Sequence, residues 1–378
     1  MPIQLPEDPT HLRNVQMLTM KLISLGFVAS YTRLEEGPIV HTYFFRPQVD
    51  AILSKVMSKA EDLALSVGVE SLLIKRERDE ISIAVPRFDR QIINYDKLLY
   101  WLATSEEARQ AALPLIMGQT TRGENFTLDL IDQPHVLIGG STGSGKSVFL
   151  NQLLCSLAVL KSPDELKLIL VDTKQLDLTL MTQLDHVEEM VDKIEHLYKV
   201  MENLKLEVRR RTNLMKGIAR NIREYNKLGY GLPLPYYILV IDELADIIGQ
   251  DKELAKNEDK DTKRTRISES LQTLAQISRA VGIHIIAATQ RPDVRVVSGT
   301  IKVNFPTRIC FKLPTGVDSR VILDENGAEN LLGKGDFLFK TATDSQVRRA
   351  HGSFVQLDDI AKILSQHQFI RESFQMMR

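Results

Sequence analysis

The chain has 378 residues, 48 Lys and Arg against 49 Asp and Glu, a formal net charge of −1 and 43% hydrophobic content, which gives room for two or three ordinary globular domains. That balance argues against coating nucleic acid by bulk charge, although a local basic track repeated by oligomerisation stays open. Two cysteines without C-x-x-C spacing (Cys155, Cys310) suggest neither a disulfide framework nor a zinc site and fit a reduced cytoplasmic setting, while no run approaches the roughly 18–20 apolar residues of a membrane span and no signal-peptide pattern opens the chain.

A helical period over His11 to Leu25 leads to an alternating segment, Gly37 to Arg46, which reads as a strand entered by a turn. A second helix is expected from about Val49 to Val67. Short strands follow at Ser71 to Arg76 and Ile81 to Val85, joined by an Arg78-Asp79 turn, and then a helix from Tyr95 to about Glu107. This is a small α+β unit, set at residues 1–112. From Leu115 onward apolar strands alternate with helices: Val136 to Ile138, Leu166 to Val171, Tyr236 to Ile241 and Ile283 to Ala288, with shorter candidates at Arg308 to Leu313 and Asp336 to Lys340. That alternation predicts an α/β domain over 113–378 with a mainly parallel sheet covered on both faces. Val191 to Leu228 reads as one long helix whose Arg209-Arg210-Arg211 run forms a solvated basic face supported by Glu202 and Glu207. Gly249 to Arg266 reads as a solvated loop or fraying helix.

Between the first apolar strand and a helical run beginning at Val148 stands Gly140-Ser141-Thr142-Gly143-Ser144-Gly145-Lys146-Ser147, a complete G-x-x-x-x-G-K-[ST] loop. Glycines let successive N–H groups point at phosphates, aided by the helix N-terminus that includes Val148. Lys146 adds charge at the β- and γ-phosphates, and the Ser147 hydroxyl is placed for the Mg²⁺ that bridges them. The implied ligand is ATP with Mg²⁺. Tyr236 to Ile241 is uniformly apolar and ends in Asp242-Glu243, so it delivers two carboxylates to the sheet edge where ligands collect. Asp242 would orient the metal and Glu243 would polarise the attacking water. Gln290 ends the strand Ile283 to Thr289 and is positioned to sense the γ-phosphate.

Eight ordered segments then carry a resemblance: 139–147, 171–174, 239–246, 279–284, 288–292, 301–308, 318–324 and 327–336. Over about Gly37 to Phe354 the chain resembles the motor region of the FtsK/SpoIIIE DNA translocases, in the wider FtsK–HerA group, and its N-terminal unit looks like the small α domain before that motor. The resemblance implies a RecA-like P-loop core assembled as a homo-hexameric ring around double-stranded DNA, with ATP hydrolysed between subunits. Arg279 matches the family's arginine finger, with Arg320 a second interface candidate. Arg291 and Lys302 match basic positions lining the pore, and Arg295 and Lys312 lie nearby; Pro314-Thr-Gly-Val lacks the usual second-loop lysine. The resembling stretch covers neither the membrane-spanning region nor the winged-helix DNA reader of that family. A soluble motor is therefore expected, either complete in itself with a relaxase, recombinase or mobile-element partner, or excised from a longer chain. Two other readings stay open: a partner-dependent conjugative coupling or packaging ATPase, and a non-motor ATP-dependent assembly switch.

Overall fold

The structure, a computed structural model, describes residues 5–48, 52–257 and 265–377. Asp8 accepts from the Thr10 and His11 N–H groups and Pro9 opens the first helix, α1 (Pro9–Ser24), whose Val15, Leu18 and Leu22 are buried. They pack on a four-stranded antiparallel sheet of order β1-β2-β4-β3: β1 (Ala29–Glu36), β2 (Val40–Pro47), β3 (Leu73–Glu77) and β4 (Glu80–Pro86). α2 (Leu53–Met57) and α3 (Ala60–Val67) link β2 to β3, and α3 stops at Gly68 in the left-handed region. The expected strand Gly37 to Arg46 is thus only the second arm of a hairpin. Gly37 belongs to its turn, where a Cβ would stand 1.7 Å from the Thr121 carbonyl oxygen. The expected helix Val49 to Val67 is two short helices, its first residues lying outside those described.

α4 (Tyr95–Thr104) and α5 (Glu106–Gln110) lead into a ten-stranded sheet and share its apolar core through Tyr95, Leu98, Leu99 and Leu102. In chain order its strands and helices are β5 (Pro114–Thr120), β6 (Asn125–Asp129), β7 (His135–Gly139), α6 (Lys146–Leu160), β8 (Leu166–Val171), β9 (Val187–Val191), α7 (Ile194–Met215), α8 (Ile222–Leu228), β10 (Tyr236–Ile241), α9 (Leu244–Asn257), α10 (Ile267–Ile277), β11 (Ile283–Thr289), α11 (Gly299–Asn304), β12 (Thr307–Phe311), α12 (Gly316–Leu323), β13 (Asp336–Lys340), β14 (Arg348–His351) and α13 (Leu357–Met377). Their spatial order is β6-β5-β14-β13-β12-β7-β11-β10-β8-β9. From β12 to β9 every pairing is parallel, and β13, β14, β5 and β6 continue antiparallel. The parallel strands are apolar on both faces because helices cover both. α6 is buried all round against the sheet and α13.

Two expectations in the motor half change. Val191 to Leu228 is not one helix: it holds the end of β9, α7 and α8, with a break at Lys216–Asn221 where Gly217 takes φ 76° and Asn221 caps α8. Nor is its arginine run a wholly solvated face. Arg211 is completely buried, donating through Nη1 to the carbonyls of Pro235 (2.7 Å) and Val281 (2.9 Å) and through Nε to Glu207 (2.7 Å). Gly249 to Asn257 continues α9, pinned by buried Asp251, which accepts from the Tyr198 hydroxyl and the Ile267 N–H; residues 258–264 of the expected loop lie outside those described.

Candidate functional site

The phosphate loop leaves the C-terminal end of β7 and is tied down by the ends of its neighbours. Gly140 N donates to Thr289 O of β11 (3.2 Å), and Ser141 donates through N (3.0 Å) and Oγ (2.8 Å) to Lys312 O just past β12. From the turn before β13, Gly335 N donates to Ser144 O (3.0 Å). Gly145, φ 107°, opens α6 where an added Cβ would lie 2.6 Å from Gly335 N, so this position requires glycine twice over. These ties hold the loop in a curl whose following helix points its N-terminus at the site, the arrangement an anion needs.

Lys146, Ser147, Asp242, Glu243 and Gln290, foreseen from the sequence, meet at this one sheet edge. Lys146 is 3% exposed and its Nζ donates to Asp242 Oδ1 (3.1 Å) and O (3.2 Å). Ser147 Oγ donates to Asp177 Oδ2 (2.8 Å). Glu243 is clamped by the end of β11: Oε1 accepts from Thr289 Oγ1 (2.7 Å) and Oε2 from Gln290 N (2.8 Å). The Gln290 side chain in turn accepts from Thr142 Oγ1 (2.8 Å), which joins the strand-end amide to the loop itself. Burial pushes the Asp242 carboxyl up; Lys146 pulls it back, and Asp177 and Asp172 raise it further. One hydroxyl and carboxylate oxygens beside an excess of negative charge suit a hard, oxygen-loving divalent cation, so Ser147 and Asp242 fit the Mg²⁺ that an ATP site implies.

Arg279 stands elsewhere. It is exposed in a single helical turn (Arg279–Val281) before β11, and its charge bears on His135 and His284 at the opposite, N-terminal ends of β7 and β11. Arg211 fixes that turn by holding the Val281 carbonyl. The four DNA candidates divide. Arg291 is exposed and Lys312 half-buried, and neither has an ion pair among the described residues. Arg295 is bound to Asp293 (2.5 Å), whose carboxyl that arginine holds down at about 2. Lys302 shares Asp324 with Arg308 and Lys340 (2.5, 2.5 and 2.9 Å), and it is mostly covered. Arg320 is exposed and bonded to Asn326.

The sequence reading missed Asp177, Asp172, Thr289 and the buried Asp336–Arg349 pair. Asp177 had a usable signal, a carboxylate a few residues past an apolar strand at the ligand edge. Asp336 and Arg349 had none, since antiparallel pairing of β13 and β14 brings them together.

The FtsK/SpoIIIE family model matches residues 100–294 and the FtsK alpha domain model residues 4–87. The chain is 33% identical over 372 residues to the DNA translocase FtsK of Streptococcus pneumoniae (strain ATCC BAA-255 / R6), covering 93% of this chain and 46% of that protein. It is 34% identical to that of Treponema pallidum (strain Nichols), covering 88% of this chain and 41% of that protein. The chain thus spans less than half the length of these relatives. Among solved structures, the pCW3 conjugation coupling protein TcpA, in a monomer form with ATPgS, is similar at TM-score 0.64 and 26% identity over 93% of this chain and 99% of that one. The cytoplasmic domain of the Thermomonospora curvata Type VII secretion ATPase EccC shares the fold, at TM-score 0.59 and 23% identity over 73% of this chain and 34% of that one. No helix among the described residues is long and apolar enough to cross a membrane. The chain belongs to the FtsK/SpoIIIE family.

Proposed function

We propose that this family member is an ATP-driven translocase of double-stranded DNA that works in the cytoplasm as a homo-hexameric ring, with one ATP site between each pair of subunits. The loop N–H groups of 140–148 and Lys146 bind the phosphates, and Ser147 with Asp242 hold Mg²⁺, which neutralises developing charge on them when bound. Glu243 polarises the attacking water, and Gln290 links the γ-phosphate position to the loop through Thr142. Arg279 serves a neighbour's site, stabilising charge on the transferring group only when the interface closes. The single observation carrying this reading is that five groups suited to ATP hydrolysis converge at one edge of the sheet while Arg279 sits at the other.

For DNA, Arg291 and Lys312 are the first-line phosphate contacts. Arg295 and Lys302 contribute once phosphates replace Asp293 and Asp324, and sixfold repetition turns these few cations into a ring. The small domain over 1–112, with α4 and α5 as its seam to the motor over 113–378, carries the hairpin turn at Gly37 onto the motor at Thr121.

A second reading is a coupling ATPase active only when docked to a relaxase, recombinase or other mobile-element partner. The TcpA likeness favours it, because it extends over nearly the whole of both chains.

The test is steady-state ATP hydrolysis by the purified chain titrated with linear duplex and, in parallel, single-stranded DNA. Stimulation by duplex alone, lost in Glu243→Gln with nucleotide binding kept, is the expected result. Stimulation by neither transfers the case to the partner-dependent ATPase, and hydrolysis unchanged in Glu243→Gln removes that residue from the chemistry.

A further inference from the structure

The loop serine has a carboxylate partner, and it is not the one at the end of β10. Ser147 Oγ donates to Asp177 Oδ2 at 2.8 Å, whereas Asp242 Oδ1 is occupied by the Lys146 ammonium at 3.1 Å. Asp177 arrives from the loop after β8, and that loop is wound around the buried carboxylate of Asp172. Asp172 Oδ1 accepts from Lys174 N (3.0 Å), and Oδ2 accepts from the N–H groups of Leu176, Asp177 and Leu178 (2.9, 3.0 and 3.1 Å). Gln175 takes φ 55° to let the chain curl round it. Four charge-assisted bonds to one side chain, two of them from Asp177 and its following residue, fix where Asp177 starts from. Its approach to Ser147 is therefore built into the fold.

A hydroxyl has one proton and two lone pairs, so it can ligate a cation through oxygen only when its proton is directed to another acceptor. Asp177 is that acceptor here. Asp177 and Asp172 both act electrostatically on Asp242, against the pull of Lys146, and such a gathering of negative charge is one that a divalent cation balances.

We propose that Asp177 is a positioning residue of the nucleotide-linked Mg²⁺ site: it accepts the Ser147 O–H hydrogen bond, which would leave the Ser147 lone pairs free for the cation, and it adds its charge to that of Asp242. The proposal rests on the reading of this edge as an Mg²⁺-nucleotide site. It predicts a defect specific to the metal, because among the described residues the Asp177 side chain is hydrogen-bonded to the phosphate loop only at Ser147. Partners that orient a metal ligand typically contribute 10- to 100-fold in metal affinity.

The experiment is binding of a mant-labelled, non-hydrolysable ATP analogue to the full chain, in EDTA and then titrated with Mg²⁺ and with Mn²⁺. Bound Mn²⁺ is followed by its electron paramagnetic resonance signal. For Asp177→Asn the expected result is wild-type affinity in EDTA, with the Mg²⁺ and Mn²⁺ half-saturation points raised roughly 10- to 100-fold. Added to Ser147→Ala, Asp177→Asn is expected to raise them by less than it does in wild-type protein, since most of its effect passes through that ligand. Should Asp177→Asn prove too unstable to purify, Asp177→Ser is read in the same titration. Unchanged metal half-saturation in the variant, with wild-type protein binding the analogue normally, overturns the role of Asp177 alone. An equal loss of affinity with and without metal also overturns it, by making Asp177 merely a loop-holding residue. Wild-type protein that binds no analogue under any condition overturns the nucleotide reading itself.

Discussion

Asp336→Asn is expected to be among the most destabilising single-atom changes in the motor. Asp336 is 2% exposed and receives Arg349 in a two-pronged pair (Nε to Oδ1 2.9 Å, Nη2 to Oδ2 2.6 Å), His351 Nδ1 at 3.1 Å and Leu332 N at 2.8 Å. Burial pushes its carboxyl up, but Arg349 and His351 more than reverse this and hold it well below the ordinary carboxylate range. The asparagine amide keeps the shape and leaves the Arg349 guanidinium buried without a counter-charge, which costs about 3–5 kcal/mol. Arg349→Met alone leaves the carboxylate stranded at a similar cost. The double variant removes both charges, so it is expected to lose less than the two single losses added together, by a coupling of about 3 kcal/mol. Urea unfolding followed through Trp101, the one tryptophan, measures all four proteins. The folded carboxyl titrates below its unfolded value of about 3.9, so its contribution is complete above that pH and is lost as pH falls toward the folded value. Wild-type stability should therefore decline below about pH 4, with a shallower decline in Asp336→Asn. Because Gly335 N, beside Asp336, holds Ser144 O, the single variant should also loosen nucleotide binding. Single variants whose losses simply add in the double, or an Asp336→Asn loss under about 1 kcal/mol, would refute the reasoning.

Gly145→Ala combines φ 107° with a Cβ 2.6 Å from Gly335 N, and it should weaken nucleotide binding more than tenfold while the rest of the chain still unfolds cooperatively. A nucleotide titration within twofold of wild type would contradict it. Thr289→Val removes the hydroxyl that holds Glu243 Oε1, and misplacing the water-polarising carboxylate should lower kcat roughly 100-fold with little change in nucleotide Kd. Stopped assays of hydrolysis beside equilibrium binding separate the two. Arg279→Ala and Glu243→Gln should each be inactive alone, while an equal mixture of the two should recover part of the ATP hydrolysis, because a complete site then forms with Glu243 from one subunit and Arg279 from the next; a mixture as inactive as either variant would place the effect of Arg279 within its own chain.

The parts of this site legible in the sequence are those whose chemistry is local. The phosphate loop is eight consecutive residues, and Asp242-Glu243 follow six apolar residues that can hardly be anything except a buried strand. The inner parallel strands β7, β8, β10 and β11 were legible because both their faces are covered, whereas the parallel edge strand β9, with Glu188 and Glu189 in its middle, was not. The hairpin arm β1 and the edge strand β6 are half-exposed and β14 is only four residues long, so they left little periodic signal. Long-range electrostatics was invisible for a different reason. Arg211 sits in a run of three arginines that reads as surface, and only the folding of α7 against Pro235 and Val281 makes it the one that is buried. Lys302 likewise reads as a free cation until α12 ends at Asp324 beside it.

The same sheet that gathers the site also leaves it unfinished. β11 runs from the Arg279 turn to Gln290 through seven residues, which at about 3.3 Å per residue separates the two by about 20 Å along one strand. No side chain bridges that distance within a subunit, and Arg211 with Glu207 pins the turn so that it cannot migrate toward the loop. On the proposed function, Arg279 therefore acts only when the N-terminal strand edge of one copy faces the C-terminal edge of the next. Such a contact uses two different patches on each subunit, so it is heterologous and propagates head to tail, and a closing rotation turns it into a ring. The catalytic geometry and the assembly geometry are then one requirement. A substitution that merely tilts the Arg279 turn, with every group at the phosphate edge intact, should abolish hydrolysis as thoroughly as loss of Glu243.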